Sequence, residues 1–170
     1  MKTKRQEELV NSFLAELGEE PRELYRGIVA KLSDLGYNPQ KQRSYIVFKH
    51  EMHNKQMAKI GVDPKSKAPF FALRFSACRG YSRKFADVVR GAVVKNNYHE
   101  ALCLKGACDF CRGEAASRVY TYAFPGGESR FHCGAAVLEI PNLTADDLGE
   151  IGELMREEHD YLMKHEAGVV

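Results

Sequence analysis

The sequence predicts an α+β domain: a mainly antiparallel sheet packed with helices, with an N-terminal helical hairpin and a cysteine-rich loop plus β-hairpin. Two observations carry this class. Apolar residues recur at helical spacing near both ends of the chain, whereas three stretches between Ser44 and Ala77 are β-branched and aromatic, without regular strand–helix alternation. The 170 residues, 44% hydrophobic and 28% charged, suit one globular domain spanning 1–170 and exclude disorder and fibrous repeats.

Val10, Phe13, Leu14 and Leu17 share one helical face and Gly18 follows, so a first helix is expected from about Arg5 to Leu17. In the second, Pro21 suits the first turn and Glu19 and Glu20 complement the positive helix end. Leu24, Ile28, Leu32 and Leu35 make the apolar stripe, and Gly36 stops it. The two should form a helical hairpin over residues 1–38. "SYIVFKH", "QMAKIGV" and "PFFALRFSA" read as strands, the last alternating Phe71, Leu73 and Phe75 with Ala72, Arg74 and Ser76.

In "YSRKFADVVRGAVVKN", Ser82 is the N-cap candidate, and Phe85, Val88, Val89, Ala92 and Val93 form the face that would cover the sheet. "SRVYTYAF", the turn "PGGE" and "SRFHCGAAVLEI" read as a hairpin with a bulge or bend at Gly134. Thr144 and Asp147 have capping-box spacing ahead of a last helix carrying Leu148, Ile151, Met155 and Leu162.

Four cysteines dominate the chemistry. Cys103, Cys108 and Cys111 lie within nine residues in "CLKGACDFCRG", and 21 residues then separate Cys111 from Cys133. Four thiolates complete a tetrahedral zinc set, and the predicted hairpin can return Cys133 beside the loop, making 98–140 a zinc-stapled unit. Gly113 and Gly134 would let amides approach the sulfurs, and Lys105 and Arg112 would offset a formal charge of about −2 on Zn(Cys)4. His132 or His99 can replace one ligand. His132 and Cys133 point to opposite faces of an extended strand, so a site would use one of them, and Cys133 is favoured. Ordinary buried thiols or a redox disulfide remain the metal-free alternative.

The order C-x4-C-x2-C followed by a distant cysteine also resembles the cluster loop of plant-type [2Fe-2S] ferredoxins over about eleven residues, including the small Gly106 and Ala107. That resemblance implies an iron–sulfur cluster on the same four cysteines. The chain departs from it at Asp109 and Phe110, where the family keeps small neutral residues.

Cys78 falls between a strand and a helix. Helix-end amides with Arg79, Ser82 and Arg83 could there bind a small anionic ligand or, joined by Tyr81, activate the thiol for catalysis. The placement resembles that of cysteine phosphatases, which close their phosphate cradle with an arginine where this chain has Lys84. "HEMH", His50 to His53, lacks the spacing of a helical metalloprotease motif and reads as exposed turn histidines. Tyr120, Tyr122 and Phe124 project from one side of a strand, as hydrophobic core, pocket floor or base-stacking surface.

The formal charge of +2 is unevenly spread: residues 39–95 carry 13 basic and 3 acidic side chains, and residues 96–170 carry 6 and 13. The basic middle segment could track a phosphate backbone, or the acidic C-terminal part could balance it within the fold. No secretory or membrane-spanning run is visible, so a cytoplasmic location is expected. The reading is a binding or sensing domain with a structural zinc, acting on a small anionic ligand or a protein partner. An enzyme at Cys78 and a nucleic-acid module using 39–95 are the alternatives.

Overall fold

A computed structural model describes residues 3–95 and 119–167, with side chains to 164 in the last helix. Helix α1 is Lys4–Ala15 and α2 is Glu19–Asp34. Thr3 caps α1 in a capping box with Gln6. Val10, Phe13, Leu14 and Leu17, chosen above by spacing, are all buried. Gly36 ends the pair at φ +81°; a Cβ there would lie 2.9 Å from His50 Nε2, so the turn has no room for a side chain.

Strands β1 (Tyr37–Gln42), β2 (Tyr45–His50), β3 (Gln56–Val62), β4 (Pro69–Leu73) and β7 (Leu138–Glu139) form an antiparallel sheet in the order β1-β2-β3-β4-β7. β1 was not predicted. Its sequence, "YNPQKQ", is polar and contains Pro39, which an edge strand tolerates because an outward-facing N–H is not needed there. Partners in register share a face, so Tyr37, Phe48, His50, Ile60, Phe71, Leu73 and Leu138 line the inner side. All of them are buried.

Helix α3 (Arg83–Lys95) packs against a separate hairpin, β5 (Tyr120–Ala123) with β6 (Ser129–His132), and against β7. The expected long second arm of the hairpin is therefore two strands. Residues between His132 and Leu138 turn, and β7 leaves the hairpin to pair with β4. A 3-10 turn, Ala145–Asp147, leads into the last helix, α4 (Leu148–Ala167), and Thr144 and Asp147 form the predicted capping box. α4 crosses α2 at small residues: Gly27 lies against Leu148, and Gly152 against Lys31. No helix among the described residues is long and apolar enough to cross a membrane.

Candidate functional site

The cysteine proposal meets the described fold at one residue. Cys103, Cys108 and Cys111, with His99, lie outside the described residues. Cys133 is half-buried directly after β6 and makes no disulfide among the described residues. Tyr120 pairs with His132, which sets Cys133 across from Val119, where the cysteine-bearing segment rejoins the fold. His132 itself is buried, its ring 6.4 Å from that of Tyr120. Among the described residues no group of three His, Cys, Asp or Glu side chains has a geometry that could hold a metal.

Cys78 lies where the sequence put it, between β4 and α3, but its surroundings are anionic. Glu158 of α4 is fully buried and accepts from Arg74 Nε at 2.6 Å, from the Ala77 amide at 2.8 Å and from Ser76 Oγ at 3.3 Å. The Arg79 amide donates to Glu157 at 3.0 Å, and the Ser82 amide to Glu150 at 2.6 Å. The loop amides that could have held an external anion thus donate to the protein's own carboxylates. Burial, then the charges of Glu158 and Glu157, pushes the Cys78 thiol well up, the opposite of what a nucleophile needs. Its Sγ lies 3.5 Å from the Leu154 carbonyl, to which the thiol donates. Arg79, Ser82 and Arg83 are exposed.

The histidines at 50 and 53 are not exposed turn residues. His50 is 6% exposed, because Ile46, Phe48 and His50 alternate onto the inner face of β2. Its ring stacks on His53 with centroids 4.4 Å apart, and His159 of α4 lies 5.4 Å away. Backbone amides of Met52 and Lys55 donate to Nδ1 of His50 and His53 at 3.3 and 3.1 Å, so each neutral ring carries its proton on Nε2. Tyr37 closes the group, its hydroxyl 3.4 Å from His159 Nδ1. Burial, then the nearby Glu158, pushes that hydroxyl up, with Arg74 opposing. This is a polar core cluster. The even spacing along β2 was its one sequence signal, and it pointed only to His50.

The aromatic stripe of the hairpin divides. Tyr120 is core: its hydroxyl donates to the Leu73 carbonyl at 3.3 Å and accepts from the Phe75 amide at 3.1 Å. Tyr122 and Phe124 are half-buried and meet edge to face, 5.0 Å between centroids.

The outer face of the sheet presents a second aromatic set. Tyr45, Gly61 and Phe70 form one cross-strand row. A Cβ on Gly61 would meet the Phe70 ring at 2.7 Å, so only glycine lets the aromatic side chain lie across β3. Lys59 Nζ sits 4.9 Å from the Tyr45 centroid and 5.3 Å from that of Phe70. The turns at 43–44 and 63–68 lie at this same end of the sheet, bringing Arg43, Lys65 and Lys67 to its margin.

No family model matches the chain, and neither the curated proteins nor the solved structures contain a match to it.

Proposed function

We propose that the protein is a non-catalytic binding domain whose hairpin is fastened to the segment before it by a structural zinc ion on Cys103, Cys108, Cys111 and Cys133. One observation supports this most: the Tyr120–His132 register brings Cys133 beside Val119, as a ligand shared between hairpin and loop requires. Zinc would supply no chemistry beyond closing the loop, and its binding free energy would add to fold stability. Elemental analysis of the purified protein should find about one zinc per chain, lost in a Cys108→Ser, Cys111→Ser double variant. Brown protein with iron in place of zinc would assign the same cysteines to an iron–sulfur cluster. Equal metal content in wild type and double variant would end both assignments.

A nucleic-acid module is the second reading, and the outer sheet face favours it. Half-exposed Tyr45 and Phe70 flank Lys59 where Arg43, Lys65 and Lys67 gather, a combination suited to stacking bases and drawing phosphates. Affinity for a single-stranded oligonucleotide should then fall steeply with salt and drop in Lys59→Glu. Binding that ignores both would remove the idea. An enzyme at Cys78 has less support, because burial and the neighbouring carboxylates push its thiol up.

A further inference from the structure

A cleft of about 700 Å³ opens between the start of α2, the turn before β4 and the segment joining β7 to α4. That volume lies within the usual range of small-molecule sites. Leu24, Phe70, Pro141, Leu143 and Leu148 give it apolar walls. Its charged lining is of one sign: Glu20, Glu23 and Glu139, with no Lys, Arg or His among the described lining residues. This stands out beside the basic middle segment that supplies one wall. Lys59, 5.3 Å from the Phe70 centroid, is not part of the lining. Glu23 pairs with the exposed Arg26, while Glu20 and Glu139 make no ion pair among the described residues.

Tyr25 is the second, independent feature. It is 3% exposed, its ring is fixed edge to face on Phe13, and it lines the cleft. Its hydroxyl has no hydrogen-bond partner among the described residues and is not one of their fully enclosed polar atoms, so it opens to the cleft. Burial, then the Glu139 carboxylate, pushes that hydroxyl up, so it stays protonated and able both to donate and to accept. A phenol ring fixed by the core, with its hydroxyl open to the cleft beside a carboxylate and an apolar wall, is placed to take a polar group from outside the chain.

We propose that this cleft binds an organic cation, a primary amine or guanidinium on an apolar body, with Glu139 and Glu20 balancing its charge, Tyr25 accepting an N–H hydrogen bond and Phe70, Leu143 and Leu148 holding the body. An anion would meet only carboxylates here. A neutral ligand of the same shape would fill the walls but leave the carboxylates without a counter-charge. The site shares no residue with the proposed zinc ligands, so either can fail alone.

The test titrates the full-length protein with phenethylamine and with butylguanidinium, following methyl and tyrosine NMR signals, with phenethyl alcohol and phenylpropionate as neutral and anionic counterparts. At least one cation should bind saturably, shift Tyr25, Leu143 and Leu148, and bind at least about tenfold more tightly than the alcohol, the scale of one charge-assisted hydrogen bond. Glu139→Gln should level amine and alcohol, and Tyr25→Phe should weaken the amine several-fold while leaving the alcohol unchanged. Three results would each overturn the proposal: equal binding of amine and alcohol, binding that survives Glu139→Gln unaltered, or no shift at the cleft with either cation.

Discussion

Carboxylates meet this fold in two settings. Along the 74–82 segment, Glu150, Glu157 and Glu158 of α4 receive loop amides and the guanidinium of Arg74. At the cleft, Glu20 and Glu139 line open space beside the Tyr25 hydroxyl and make no ion pair among the described residues. The first set is used up in holding α4 against the end of β4 and the loop that follows. The second keeps its charge available to a ligand. Charge alone therefore does not mark a site; what matters is whether the chain already supplies the partner. The same test separates Cys78, enclosed by satisfied carboxylates, from Tyr25, whose hydroxyl opens to the cleft without a partner among the described residues.

The contrast predicts very different costs for removing the two kinds of carboxylate. Glu158→Ala should be the most damaging: it strands the buried Arg74 and the Ala77 amide, and breaking such a pair costs about 3–5 kcal/mol. Urea denaturation of this variant, with Glu158→Gln as a milder companion should the first not fold, gives the comparison. A loss below about 1 kcal/mol would mean that solvent replaces the pair, as at exposed ion pairs.

Cys78 comes next. Its raised pKa keeps it a thiol at neutral pH, so peptide mapping after iodoacetamide treatment should show labelling at least about tenfold slower than in the denatured chain. Rapid labelling at pH near about 6 would bring back the enzyme reading.

Asp147 lies between the extremes, with Lys84 Nζ at 2.6 Å and the Thr144 amide at 2.8 Å. Burial alone would raise its carboxyl, but Lys84 and Thr144 outweigh that and hold it below the ordinary value. Since the folded value is the lower one, its contribution is present above the unfolded carboxylate value of about 4 and is lost as pH falls through the folded value. Asp147→Asn should cost about 1 kcal/mol at neutral pH. The gap in Tm between wild type and variant should hold from about pH 5 to 8 and close in acid; a gap that persists in acid would exclude the charge as its cause.

Glu139→Gln should have the smallest effect on folding, within about 0.5 kcal/mol, because the side chain is exposed and makes no ion pair among the described residues. A large loss there would place Glu139 with the structural carboxylates and collapse the distinction.

Much of the fold was legible where the local pattern is strong. The buried faces of α1 and α2 follow their apolar spacing, "QMAKIGV" is strand β3 from end to end, and the Thr144–Asp147 capping box precedes the last helix. β1 was not legible, because "YNPQKQ" has no strand pattern and pairs only because the turn at 43–44 folds it back on β2. The bend expected at Gly134 became a change of sheet, which depends on the free edge of β4. The site readings divide in the same way. The placement of Cys78 followed from local signals, whereas the glutamates around it come from a helix about 80 residues away, beyond the reach of any spacing rule.

Composition and spacing determined by themselves the α+β class, the helical faces, strands β2 to β6 and the residues able to bind metal or anions, because these depend on side-chain chemistry and on periods of 2 and about 3.6 residues. Only tertiary structure decided that Glu158 meets Ala77, that His159 joins His50, and that Tyr25 and Glu139 share a cleft. Those meetings are set by how whole elements pack, and packing depends on the summed shapes of distant surfaces rather than on any local stretch of chain.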